Sequence, residues 1–217
     1  MSLHIGRPHR ALIVAPHPDD EVIGATALIQ ALRRRGTRIT VAIVSDGAAS
    51  HPNSRIWPRH RLVAARRQES LRALARLGVC KGAVRFLDLP DGALDRHLPA
   101  CLRPLRTATA SFGPRDLIVG PAATDGHPDH RAVAATLARV RGGAARLTYQ
   151  VWPPANRRPR RALAVRMPGG CAAKRSLIRL HRTQSGAIDD DPHGFAIARH
   201  ELDAFAHPIE YFVPVRR

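Results

Sequence analysis

The 217-residue sequence predicts an α/β fold of Rossmann-like, three-layer type, a mostly parallel sheet with helices on both faces. Three observations carry that expectation. Short continuous apolar runs, ALIVA at 11–15 and ITVAIV at 39–44, read as strands buried on both faces. The first leads through a turn, and the second through a longer loop, into a segment with helical spacing of apolar residues, and Gly36 and Gly78 stand just past those segments. The alternation then repeats with no linker dividing it, so 1–217 is read as one domain.

Taken in order, strand 11–15 runs into a polar turn and a helix over 22–35, where Val22, Ile23, Leu28, Ile29 and Leu32 supply the apolar face. Strand 39–44 closes on Ser45-Asp46-Gly47. A polar loop with Pro52 and Pro58 leads to a long helix over 59–77. A third strand is expected at 84–87, then the turn Leu89-Pro90-Asp91-Gly92 and a helix over 96–109. A fourth strand at 116–119 precedes a helix over 128–140, and a fifth strand is expected at 147–152. Beyond Pro153 come a basic loop, a short strand at 162–165 and a helix near 171–181, while 185–217 carries no pattern that assigns it.

Composition narrows the class. Apolar residues make up 44% of the chain, enough for a packed core. Lys81 and Lys174 are the only lysines among 35 basic residues, so the net charge of +18 is carried almost wholly by arginine. The arginines are dispersed, and their densest runs, 33–35 and 157–161, fall at a helix end and in a loop. A solvated basic surface is the first reading, with attraction to an anionic substrate or phospholipid second. Dispersal without a recognition motif argues against a nucleic-acid binder. Cys80, Cys101 and Cys171 are far apart and form no CxxC, so neither a disulfide framework nor a thiolate zinc site is implied. The sequence has no secretory segment and no stretch of transmembrane length, so a cytoplasmic location is expected.

Two motifs carry the chemistry. His17-Pro18-Asp19-Asp20-Glu21 follows the first strand, and His127-Pro128-Asp129-His130 follows the fourth. Ligands of open parallel sheets bind at the carboxyl ends of strands, so the fold should bring the two together. Imidazoles and carboxylates without thiolates suit a catalytic zinc (Zn2+) with three protein ligands and an open place. His17 and Asp20 can reach one ion, with His130 completing the set. Asp19 then projects beside the attacking water as a general base. His127, three residues before His130, would meet the substrate oxygen or protonate the leaving amine, with Asp129 orienting it and raising its pKa. Turn chemistry and helix capping explain either motif alone. Two His-Pro-Asp cores at two strand ends are much harder to explain that way. His4, His60 and His200 receive no role.

APHPDDEVIGA at 15–25 and TDGHPDHRAV at 124–133 resemble the PIG-L/LmbE-like family of zinc-dependent N-deacetylases in order, spacing and strand context. Weaker echoes include Arg66-Arg67-Gln68-Glu69, Leu89-Pro90-Asp91-Gly92 and Lys174 through Gln184, so the resemblance covers about 10–184. It implies zinc on His17, Asp20 and His130, Asp19 as base, His127 as electrophile or acid, and Asp129 as its partner. It further implies that Arg66 meets substrate or supports the site, with a salt-bridged helix surface as the equal alternative, and that Glu21 supports the first motif. Some members place a tyrosine shortly before the second motif. Asp125 stands at the nearby position here, which leaves that role absent or filled elsewhere. The loop 48–61, with His51, Asn53 and Trp57, is the expected place for substrate selection, and Trp57 and Trp152 are candidates to stack on a sugar. The activity implied is removal of an acetyl group from the amide nitrogen of a small N-acetylated amino sugar. Hydrolysis of another N-acyl amide, or a non-catalytic basic binding module on the same fold, are the alternatives.

Overall fold

A computed structural model describes residues 6–154 and 158–215, which leaves His4 and Arg157 outside the described residues. Among the described residues seven strands form one sheet in the order β3-β2-β1-β4-β5-β7-β6. They are β1 (Arg10–Ala15), β2 (Arg38–Ser45), β3 (Val84–Leu89), β4 (Asp116–Pro121), β5 (Ala145–Tyr149), β6 (Leu163–Arg166) and β7 (Ile209–Pro214). The first five pair in parallel, as the sequence predicts, while β7 runs antiparallel to both β5 and β6.

The α-helices among the described residues are α1 (Asp20–Arg34), α2 (Arg59–Arg76), α3 (Leu98–Thr109), α4 (Pro128–Ala138), α5 (Gly170–Ile178) and α6 (Arg199–Phe205). The period of two along β1 sorts them into two layers. Ala11, Ile13 and Ala15 face a core completed by Leu28 and Leu32 of α1, Leu74 of α2 and Ile178 of α5. Leu12 and Val14 face a second core with Leu105 of α3 and Val133 and Leu137 of α4. A strand wholly apolar in sequence is thus one that serves two cores. Among the described residues no helix is long and apolar enough to cross a membrane.

Sequence and structure part at the fifth strand and beyond it. The strand expected over 147–152 runs instead from Ala145 to Tyr149, and beyond it the backbone N–H groups of Val151 and Trp152 donate to the Asp125 carboxylate rather than to the sheet. The unassigned tail supplies α6 and β7, and β7 fits between β5 and β6 by pairing Leu147 with Pro214 and Leu163 with Phe212. A buried ion pair fixes that end of the chain. Lys174 Nζ lies 2.8 Å from Glu210 Oε1, while the other oxygen of Glu210 accepts from Ala27 N in α1.

The order of the sheet positions the site. Strand order reverses between β1 and β4, and the crevice at the carboxyl ends of those two strands is where open α/β sheets bind ligands. The two motifs are the segments that leave β1 and β4 there. Helix α1 is seated by a close approach: a Cβ on Gly24 would fall 2.3 Å from Cδ2 of Tyr149, whose hydroxyl donates to Val14 O. Gly24→Ala should therefore cost about 1–3 kcal/mol by overpacking. Urea denaturation reads this directly, and an unchanged midpoint would mean that α1 does not rest on the Tyr149 ring.

Candidate metal centre and active site

His17 leaves β1 in a bend, Asp19 stands at the N-cap of α1, and Asp20 and Glu21 open its first turn. The local fold is held by the motif itself. Asp20 Oδ2 accepts the His17 backbone N–H at 2.8 Å, and Glu21 Oε2 accepts that of Asp19 at 3.0 Å. Asp19 adopts φ 149°, a region that L-residues rarely enter. Strain of that kind is kept where the surroundings over-determine it, commonly at functional sites.

From the other strand, His127 is the N-cap of α4 and Pro128 its first residue, a start favoured by the missing N–H of proline. His130 lies one turn in and is fully buried. The sheet brings the two motifs together around Asp20. His17 Nδ1 and His130 Nε2 each lie 3.1 Å from Asp20 Oδ2 and 3.3 Å from each other. A tetrahedral ion with bonds of ~2.0–2.1 Å has ligand-to-ligand edges of ~3.3 Å, so this triangle fits three corners of a zinc-type centre.

Other histidine and acidic atoms come near, and their hydrogen bonds separate them from that triangle. A ring nitrogen of His127 lies within 4.8 Å of His17 and His130, but Nδ1 of His127 accepts the Asp129 backbone N–H at 3.2 Å. On its far edge, His17 Nε2 lies 3.1 Å from Asp91 Oδ1 and 3.3 Å from Asp129 Oδ2. Those two carboxylates grip the outer face of the His17 ring, the outer support that metal-ligating imidazoles generally have. Asp125 faces the outer nitrogen of His130 at 3.3 Å, at an ion-pair distance rather than in hydrogen-bond alignment. The same Asp125 accepts from the backbone N–H groups of His127, Val151 and Trp152.

These positions revise two expectations. Asp129 does not hold the His127 ring: its carboxylate accepts from Gly92 N and Leu94 N and turns to His17. Burial and the neighbouring charges of His17 and His130 lower the His127 pKa, against the rise expected from Asp129. Neutral His127, accepting at Nδ1, carries its proton on Nε2. Trp57, a candidate sugar platform, instead lies under the Arg61 guanidinium, 4.2 Å from the ring centroid. Trp152 does reach the pocket.

Arg66 is buried rather than part of a salt-bridged helix surface. Its Nη2 donates to Pro18 O at 3.0 Å and lies 3.3 Å from Asp19 Oδ2, while Nη1 donates to Gly47 O. Gly47 is required there, since its φ is 71° and a Cβ would sit 2.8 Å from Arg66 Nη1. Burial raises the Asp19 carboxyl to about 7 despite Arg66. Burial disfavours charge on His130 as well, but Asp20 and Asp125 outweigh it and bring its pKa to about 9. Asp20 goes the other way: despite burial, the charges of His130 and His17 hold its carboxylate well below the usual range.

A pocket of about 410 Å3 opens over the centre, within the usual range for small-ligand sites. His17, Asp19, Asp20, Arg66, His127 and Trp152 line it. Loop 48–61 contributes Ala49 and Ser50 rather than His51 or Asn53. The tail adds Phe195, Ile197 and Glu201. Sequence reasoning missed Asp91, although the Leu-Pro-Asp-Gly turn was visible, and it missed the tail residues altogether. It also missed His181, fully buried behind Glu21 at 4.0 Å and held neutral, its pKa pushed down to about 3 by burial and Arg66.

Fold and site together define a doubly wound α/β protein with a histidine–carboxylate centre at its switch point. The chain belongs to the PIG-L family, whose model, described as GlcNAc-PI de-N-acetylase, matches residues 12–140. No curated protein matches it in sequence. Among solved structures it is similar to N,N'-diacetylchitobiose deacetylase from Pyrococcus horikoshii, with TM-score 0.64, 22% identity, and 83% of this chain and 72% of that one covered. It is also similar to the zinc-inhibited form of teicoplanin deacetylase Orf2, with TM-score 0.62, 20% identity and coverage of 96% and 98%. GalB, the 4-carboxy-2-hydroxymuconate hydratase of Pseudomonas putida KT2440, matches as well, at TM-score 0.65, 15% identity and coverage of 96% and 96%. One fold thus carries unlike chemistries, and function has to be argued from the site.

Glu21 gives a prediction from pH. Burial raises its carboxyl from the ordinary 4.5 to about 8, so the folded chain holds the proton more tightly than the unfolded one. The stability this contributes is complete below about pH 4.5 and is lost as pH rises through about 8. Glu21→Gln should flatten the fall in melting temperature across that window. An identical slope in the variant would place the Glu21 charge in the folded state.

Proposed function

We propose that this chain is a zinc-dependent hydrolase that removes the acetyl group from the amide nitrogen of an N-acetylated amino sugar. The observation that carries the reading is the triangle of His17, Asp20 and His130 atoms with Asp19 lining the same pocket. Membership of a family described as a GlcNAc-PI de-N-acetylase supports the amide and the sugar, as do the deacetylases among the similar structures. Trp152, which lines the same pocket, suits the apolar face of a sugar ring.

His17, Asp20 and His130 would hold the ion, which supplies a Lewis acid and makes water acidic enough to attack at neutral pH. The remaining steps belong to the side chains. Asp19 accepts the proton of the attacking water as its oxygen bonds to the amide carbon. A group near pH 7 suits this exchange, since it accepts and releases a proton with little bias. Arg66 holds the Asp19 carboxylate in place. The proton on His127 Nε2 is available to the carbonyl oxygen as negative charge develops there. Asp19 then returns its proton to the nitrogen as the carbon–nitrogen bond breaks, releasing acetate and a free amine. Asp91 and Asp129 fix the ring of His17, and Asp125 faces the ring of His130.

Acetate released from a panel of N-acetylated sugars by the zinc-loaded protein tests the reading, and no release from any member defeats it. Asp19→Ala should abolish hydrolysis while zinc content is kept. Loss of zinc in that variant would make Asp19 a ligand instead of the base. His127→Ala should keep zinc and lower turnover by ~10²-fold or more, as for the loss of an oxyanion donor. Undiminished turnover would remove His127 from the reaction.

A further inference from the structure

One carboxylate stands between the histidine–carboxylate centre and Trp152. Asp125 is buried, 1% exposed, in the segment that joins β4 to α4. Its Oδ1 accepts the His127 backbone N–H at 3.0 Å, a bond two residues along that aspartates commonly make in turns. Its Oδ2 makes contacts that turn chemistry does not require. It accepts the backbone N–H groups of Val151 at 2.8 Å and of Trp152 at 3.1 Å, and lies 3.3 Å from Nδ1 of His130. Val151 and Trp152 follow Asp125 by 26 and 27 residues, so a turn alone does not explain the residue.

Both ends of this link are braced. Arg131, beside His130 in α4, donates from Nη1 to the carbonyl oxygens of Asp125 at 2.9 Å and Gly126 at 2.7 Å. Gly126 N in turn donates to Trp152 O at 2.8 Å. The backbone N–H and C=O of Trp152 are thus both tied to 125–126. Its indole packs against Phe195 and Phe205 at nearly right angles, with ring centroids 6.0 Å and 5.2 Å away, and lines the pocket. Removing the Asp125 carboxylate leaves two backbone donors without an acceptor, and the chain that carries the indole has to move to satisfy them.

We propose that Asp125 is a positioning residue that couples His130 to Trp152, and so sets the spacing between the scissile amide and the sugar face that rests on the indole. Groups that hold a ligating imidazole from outside commonly govern how the site performs, and reacting groups tolerate little misplacement. The sugar rests on the deacetylase reading above; the coupling of His130 to Trp152 does not.

The test measures KM and kcat for acetate release from N-acetylglucosamine by zinc-loaded wild type, Trp152→Ala, Asp125→Ala and the double variant. Each single variant should raise KM about fivefold, the loss of one aromatic contact. The double variant should keep the KM of Trp152→Ala, since Asp125 cannot misplace a ring that is gone. A fall in kcat through His130 should appear in both backgrounds. Asp125→Asn should restore the KM, because its one oxygen can still serve Val151, Trp152 and His130. An unchanged KM in Asp125→Ala, or KM effects that multiply in the double variant, overturn the proposal. Hydrogen exchange on the wild type needs no variant to fold. Zinc loading should slow the N–H groups of Val151 and Trp152 about tenfold more than those of β6, at the far edge of the sheet. Equal slowing overturns the coupling. If the wild type hydrolyses no sugar, the deacetylase reading fails instead, and hydrogen exchange alone decides the coupling.

Discussion

One carboxylate oxygen ties the two halves of the site together. Asp20 Oδ2 accepts the His17 backbone N–H, faces His17 Nδ1 and faces His130 Nε2, all within 3.1 Å. Two of those groups come from the end of β1 and the third from the start of α4, more than a hundred positions later. The convergence rests on the strand order, which makes β1 and β4 neighbours although two further strands and the helices α1, α2 and α3 lie between them in sequence. Buried imidazoles and carboxylates this close would be costly without mutual neutralisation. Their pKa directions agree with that: against the cost of burial, the neighbouring carboxylates raise His17, and the neighbouring imidazoles lower Asp20.

Around that hub the neighbouring carboxylates divide by orientation. Asp20 lies on the inner edge of His17, while Asp91 and Asp129 lie on its outer edge, and Asp125 lies on the outer edge of His130. Asp19 is set apart by its backbone. At φ 149° its side chain meets Arg66 instead of joining the triangle of His17, Asp20 and His130. Adjacent aspartates with similar chemistry thereby acquire different environments, the condition under which one binds while the other exchanges a proton. Arg66 links this arrangement to β2 through Gly47 O, so the first two strand ends share a single support.

The outer part of the pocket has a different origin. Asp190 and Asp191 of the tail accept from the backbone N–H groups of Asn53, Arg55 and Ile56, and Phe195 N donates to Ser50 O. The loop after β2 is thus pinned by the C-terminal segment, which also contributes Phe195, Ile197 and Glu201 to the pocket. The histidine–carboxylate centre lies within the family-matched region, while much of what a substrate would touch around it lies outside.

What the amino-acid order settled alone is local. Apolar runs marked β1 to β4, glycines at 36 and 78 marked helix ends, and the two His-Pro-Asp segments marked the centre, because strand burial, capping and ligand chemistry leave their signs within a few residues. The course of the chain beyond β5 was illegible because a distant carboxylate, Asp125, captures the N–H groups of Val151 and Trp152. The placement of β7 was hidden likewise, since pairing Leu163 with Phe212 leaves no trace in either segment. Whether Asp129 serves His127 or His17 depends on which way a side chain turns once Gly92 and Leu94 present their N–H groups. Contacts of that kind are made between segments remote in sequence, and only the assembled chain decides them.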